Sequence, residues 1–168
     1  MSKILNYSIF ILLVIQLSLL AQFAGGSGTE TDPWLIRTPE NLDSIRYYLG
    51  NESNNKCFKQ IADIDLGIAP WNEGAGWEPI GRDSILYVVF RGSYDGNCHK
   101  IINIFINRPD EDYIGLFGLL YEPAITGLSL INVNITGGNK VGAIAGYTDF
   151  AGFTKCFITG NITGKNEI

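Results

Sequence analysis

Three sets of side chains in this sequence have types and spacings that could do chemistry. Asp63 and Asp65 alternate along CFKQIADIDLG, and two carboxylates on one strand face could hold calcium or act as a catalytic acid pair. Residues two apart stand closer than an inverting glycosidase needs, however. Solvated acids on the outer face of a half-buried strand are the simpler reading. Trp71 and Trp77, in WNEGAGWEPIGR, are the candidate ligand-binding residues. Aromatic rings on a loop make platforms for sugar rings or partner surfaces, with Glu73, Glu78 or Arg82 as polar neighbours. The competing reading makes them a lid over the first turn of the fold. His99, the one histidine, follows the turn-forming Asp95-Gly96-Asn97 and has no partner evident from its position.

The list of absent motifs is longer. The sequence contains no HExxH, no GxSxG and no P-loop, and GGSGTE precedes no helix. Cys57, Cys98 and Cys156 are odd in number and match no zinc spacing. Buried single thiols are the expected state, and a Cys57–Cys98 bridge, which an oxidising compartment allows, is the alternative. No catalytic residue, metal site or cofactor is expected.

The elements that would position these residues come in two textures. Thr38 suits a helix N-cap, Pro39 the first helical position and Glu40 the positive end of the dipole. Leu42, Ile45 and Leu49 share one face and Gly50 offers a stop, so a short amphipathic helix is expected over 38–49. A short strand at Trp34–Ile36 precedes it. From residue 57 the texture is β. Phe58, Ala62, Ile64 and Leu66 alternate with the acids, and Val88–Phe90 and Ile101–Ile106 follow, with Gly and Asn at the turns.

Lys3, the apolar run IFILLVIQLSLL and the small residues after it describe a secretory leader over residues 1–21. Residues 22–56 are then an N-terminal segment with its capping helix, and 57–168 the body. Twelve Lys and Arg face 17 Asp and Glu, a formal charge of −5, which loss of Lys3 makes one unit more negative. With no basic cluster, nucleic acid is excluded as a partner.

A repeat organises the body. Ile114-Gly115-Leu116-Phe117 aligns with Val141-Gly142-Ala143-Ile144 at an offset of 27, and Asn134-Ile135-Thr136-Gly137 with Asn161-Ile162-Thr163-Gly164. The same offset brings Ala124 to Ala151, Leu130 to Phe157, Ile131 to Ile158 and Val141 to Ile168. An earlier copy, Ile102–Ile106 against Ile131–Ile135, sits at 29, with the two extra residues in RPDED. A fixed period of short strands with gaps confined to a loop predicts a β-solenoid, each coil stacking on the last at about 4.8 Å. Leu130/Phe157, Ile131/Ile158 and Ile135/Ile162 are expected to stack inside, and Asn134/Asn161 to form an amide ladder. Gly142 and Gly146, inside an apolar stretch, mark corners or close backbone approach. A sandwich of antiparallel hairpins would not need a constant period.

Val141-Gly142-Ala143-Ile144-Ala145-Gly146, preceded by Gly137-Gly138-Asn139, resembles the GLUG motif. That repeat occurs in bacterial surface and secreted proteins, including the non-catalytic part of IgA-specific metallopeptidases. Here Ala143, Ile144 and Ala145 stand where the commoner form has a second glycine and a Leu-Val pair. Asp32-Pro33-Trp34, Asp63–Leu66, Trp77–Gly81 and Asp95–Ile101 resemble other stations of such proteins. The resemblance implies an all-β, right-handed parallel β-helix with a short N-terminal capping helix, often followed by more repeats, and it implies no reaction. By the repeat alignment Ile168 opens another coil, so the sequence is expected to be incomplete at its C-terminus. The expected function is a non-enzymatic, secreted or cell-surface module, adhesin-like or a spacer, with no membrane span once the leader is cleaved. Its expected partners are an extracellular glycan or a host or cell-surface protein. The alternatives are a carbohydrate-active enzyme, lyase or hydrolase, on the same scaffold, and a carbohydrate-binding module using Trp71 and Trp77.

Overall fold

A computed structural model describes residues 22–82 and 88–166. The leader expected over 1–21, and Ile168 with its stacking on Val141, lie outside the described residues. The strands are β1 (Trp34–Ile36), β2 (Cys57–Gln60), β3 (Ile64–Asp65), β4 (Ser93–Asp95), β5 (Lys100–Ile102) and β6 (Phe105–Asn107). They continue as β7 (Phe117–Tyr121), β8 (Ala124–Thr126), β9 (Ser129–Thr136), β10 (Ala145–Asp149), β11 (Gly152–Thr154) and β12 (Phe157–Thr163).

These strands form three parallel sheets. The first face is β1-β2-β4-β8-β11 and the second β3-β5-β9-β12, with β6 also pairing with β9. The third is β7 and β10, extended by parallel bridges Ile80–Phe117 and Phe90–Leu120. The chain passes from first face to second to third and returns one rung higher, so the protein is a parallel β-solenoid of about four turns. Alternation along each short strand sends one set of side chains inward. On the first face Trp34, Phe58, Tyr94, Ile125 and Phe153 occupy one column. At the outer edge of the described stack Phe153 is 43% exposed, whereas Ile125 beneath it is 1% exposed. Covering by the next rung is what buries this column.

The helix is shorter than its pattern predicts. Helix α1 spans Pro39–Asp43 and continues as a 3₁₀ turn over Ser44–Tyr47. Thr38 caps it, its hydroxyl accepting from the Asn41 N–H at 3.3 Å, and Leu42 and Ile45 are fully buried. The Ser44 hydroxyl donates to the Glu40 carbonyl at 2.8 Å. Serine's local bonding competes with helix propagation, and the α-helix ends there. A second correction concerns CFKQIADIDLG, which is two strands on two faces. The chain bends between Gln60 and Ile64, leaving Ala62 only half-buried at the corner.

At that corner Gln60 is fully buried. Its amide donates to the carbonyls of Ala62 (2.8 Å) and Lys100 (2.9 Å), and its oxygen accepts from the Tyr94 hydroxyl at 3.2 Å. Burial pushes the Tyr94 hydroxyl pKa well above its ordinary value, with the Asp95 charge adding to the effect. A raised folded pKa means that this stabilisation is complete below the unfolded value of about 10 and is lost as pH climbs past it. Urea midpoints at pH 8 and pH 11 are therefore expected to differ more for the native sequence than for Tyr94→Phe. Equal differences would remove Tyr94 from the account.

The period is 27 in some places and 28 in others. Ile114–Val141, Asn134–Asn161, Ile135–Ile162 and Asn139–Asn166 pair at 27. Phe117–Ala145, Ala124–Gly152 and Leu130–Ile158 pair at 28. An extra residue enters between Val141 and Ala145, and the register recovers at an irregularity between Ile158 and Gly160. There Asn132, at φ +57°, absorbs the surplus on the neighbouring rung. The expected stacks Leu130/Phe157, Ile131/Ile158 and Ala124/Ala151 are thus corrected by one residue. A one-residue slip exchanges the faces, so Ile131 points outward and is half-buried while Leu130 is fully buried. The 29-residue offset holds as expected, with Ile102–Ile131 and Ile106–Ile135 in register.

Gly142 and Gly146 serve close approach. Gly115 lies beside Gly142, and Gly118 beside Gly146 and Gly81, on successive rungs of the third face. A Cβ on Gly118 would stand 2.6 Å from the Gly81 carbonyl oxygen, and one on Gly115 2.6 Å from that of Gly142. Backbone fills the space that side chains would need.

Candidate functional site

The two tryptophans separate. Trp77 is fully buried, its indole N–H donating to the Leu116 carbonyl at 3.1 Å. The segment around it docks antiparallel on β6, with Trp77 N–H to Phe105 O at 2.8 Å and Asn107 N–H to Ala75 O at 3.0 Å. That docking turns the ring into the core, so Trp77 is no platform for a ligand. Trp71 is half-buried and packs against it, ring centroids 5.4 Å apart. Of the expected polar neighbours, Arg82 pairs with Glu111, while the Arg46 guanidinium lies 5.7 Å from the Trp77 ring and bonds the Glu78 carbonyl. Trp77 thus lies in the core with the half-buried Trp71 against it.

The acids are consumed by turns and ladders. Asp63 accepts from the Lys100 backbone N–H at 2.9 Å and lies 3.3 Å from His99 Nδ1, the partner that sequence did not supply. The Lys100 bond, aided by His99, holds the Asp63 carboxyl below the usual range. Asp65 accepts from Gly67 N–H (2.8 Å) and the Asn103 amide (2.9 Å), and Asn103 accepts from Asn132 (2.7 Å). A second column runs Asp112–Asn139–Asn166, each step 3.0 Å. Asn134 and Asn161 are register partners, but the amide ladders pass through these other columns. Each starts on an aspartate, which only accepts, so every asparagine donates toward the N-terminal rung. The recurrence of Asn103 at 132 and Asn139 at 166 was the available signal.

The three cysteines are free, and Cys98 is exposed rather than buried. Among the described residues no group of three or more His, Cys, Asp or Glu could hold a metal ion, and no helix is long and apolar enough to cross a membrane.

A concave feature that sequence did not indicate lies on the outside of the first face. Outward residues Cys57, Ser93 and Ala124 occupy one register column, and Leu35, Lys59 and Asp95 the next. Over them open two adjoining cavities of about 300 and 540 Å³ that share Glu30, Cys57 and Ser93. The smaller is walled by Lys56, Arg91 and Glu122, the larger by Thr31, Pro33 and the Lys59–Asp95 pair, which stand 3.7 Å apart. The Arg91 guanidinium lies 4.1 Å from the Tyr121 ring centroid, and Lys56 Nζ 5.1 Å from that of Trp34.

No protein-family model matches the chain. It is 42% identical over 115 residues to a protein of Evansella cellulosilytica described as "Putative Gly-rich membrane protein", and 35% identical over 147 residues to "Halomucin" of Haloquadratum walsbyi. The matched regions cover 68% and 85% of this chain but 12% and 2% of those proteins, so the chain spans a small part of their length. A crystal structure described as a "putative immunoglobulin A1 protease" from Bacteroides ovatus aligns at TM-score 0.65 and 21% identity, over 84% of this chain and 41% of that one. This likeness shows the fold.

Proposed function

We propose that the chain is a non-enzymatic β-solenoid module of an exported or cell-surface protein, acting as a rigid spacer that presents its outer faces. The observation that carries this reading is axial: parallel rungs from β1 to β12 build length along one direction and leave outward residues such as Glu122 and Asn134 exposed. Gly115, Gly118, Gly142 and Gly146 fit it, since they let successive backbones approach closely. The one acid pair that the sequence offered for glycan cleavage is engaged in a turn and a ladder, Asp63 with the Lys100 N–H and Asp65 with the Asn103 amide. The two relatives, one named as a membrane protein and the other a halomucin, favour the surface, and their length favours a modular role.

Cys98 supplies the test, being exposed on a turn. A membrane-impermeant maleimide applied to intact producing cells is expected to label the chain at Cys98, with the signal falling by more than half in Cys98→Ser. Labelling that appears only after lysis would overturn surface residence.

A further inference from the structure

The spacer reading leaves the two confluent cavities on the first face unused. From Leu35 through Cys57 and Ser93 to Ala124 they cross four rungs, about 14 Å along the solenoid axis. Three acids, Glu30, Asp95 and Glu122, and three bases, Lys56, Lys59 and Arg91, line them together with the hydroxyls of Thr31 and Ser93. The bases are held in place: Arg91 over Tyr121, Lys56 over Trp34, Lys59 against Asp95. Donors fixed before binding lose little freedom when a ligand arrives.

We propose that this trough binds an extended, neutral glycan lying along the solenoid axis. Three properties select that class. Equal numbers of opposite charges give no net field, so a polyanion gains as many repulsions as attractions. Carboxylates, guanidinium and hydroxyls interleaved at rung spacing suit a chain of hydroxyls, each of which both donates and accepts. Leu35, Pro33 and Ala124 give apolar contact for the C–H faces of sugar rings. An extended peptide is disfavoured because the floor is the face of a sheet whose backbone groups are already paired from β1 to β11. A peptide strand needs a free edge. The trough is open, so the ligand is bound across several rings rather than enclosed.

The test is affinity electrophoresis of the full chain through soluble α- and β-glucans, mannan, galactan and xylan, followed by calorimetry with hexasaccharides of any that retard it. At least one neutral polymer is expected to bind. Ser93→Trp, which fills the floor, should weaken binding at least tenfold, and the fold-sparing pair Glu30→Gln with Glu122→Gln about fivefold. Asn134→Trp on the second face should leave it unchanged. Retardation by none of the neutral polymers, or tighter binding of polygalacturonate, overturns the proposal. So does tighter binding of a charge-balanced decapeptide, or an equal loss from Asn134→Trp. Binding in solution does not depend on where the chain resides, so this outcome is independent of the maleimide result.

Discussion

Gly146→Ala is expected to lower the stability of the solenoid by about 3 kcal/mol or more, although it adds one methyl group. The new Cβ would stand 2.5 Å from the Ile114 nitrogen and 2.6 Å from the Lys140 carbonyl oxygen, and against the Tyr113 carbonyl carbon as well. All three are backbone atoms of stacked segments. A flexible side chain would swing aside, but these can move only if the rungs separate, which breaks the hydrogen bonds from Ile114 N–H to Lys140 O and Leu116 N–H to Ala143 O. Gly152→Ala is the matched control. The same methyl there meets only the Pro123 carbonyl oxygen at 4.0 Å, so its effect is expected within about 0.5 kcal/mol. Urea unfolding of the two variants, followed by far-ultraviolet circular dichroism, separates them. Similar losses at both positions would refute the claim that close backbone approach, and not glycine content, fixes the third face.

That contrast also explains how much of the fold the sequence carries. Side chains repeat because they stack, so a column of buried Ile or Leu and a column of glycine both leave a period behind. Ile106–Ile135–Ile162 is such a column, and its members were legible at offsets of 29 and 27. The 28-residue register of β7/β10 and β8/β11 was not legible. Its cause is backbone: one residue taken in between Val141 and Ala145 and released opposite Asn132. A bulge needs no particular side chain, and the slip it causes still leaves apolar pairs such as Ile125–Phe153 and Leu130–Ile158. Leu130 and Ile131 are equally apolar, and only coordinates tell which one faces in.

The candidate site was less legible still. Trp71 and Trp77 look alike in sequence, and what parts them is the antiparallel docking of Gly76 on Ile106, a contact across 30 residues with no local pattern. The trough is built from ordinary outward residues, Lys59, Ser93 and Glu122 among them, that no motif unites. Its floor comes from rungs dozens of residues apart in sequence. A site made by stacking is invisible until the register is known. The ladders are intermediate: their asparagines repeat, but the aspartates that begin them, Asp65 and Asp112, differ in type from the rungs above.

Trp77→Ala is expected to cost about 3–5 kcal/mol, enough to unfold many domains of this size. The side chain is fully buried among Ile80, Ile104 and other members of one core cluster, so its removal leaves a large void. It also removes one of the two hydrogen bonds on the Leu116 carbonyl oxygen, which accepts the indole N–H at 3.1 Å and keeps the Ile80 N–H at 3.1 Å; the lost bond adds about 0.5–1.5 kcal/mol to the loss. Trp77→Phe fills most of the void without restoring the bond and should recover roughly half of the deficit. Urea midpoints for the three proteins test the ordering. The Phe variant also decides between lid and platform, because a folded protein with a smaller ring at 77 keeps the trough on the first face intact. Glycan retardation by Trp77→Phe is therefore expected to match the native chain, and loss of binding in that folded variant would return Trp77 to the ligand site.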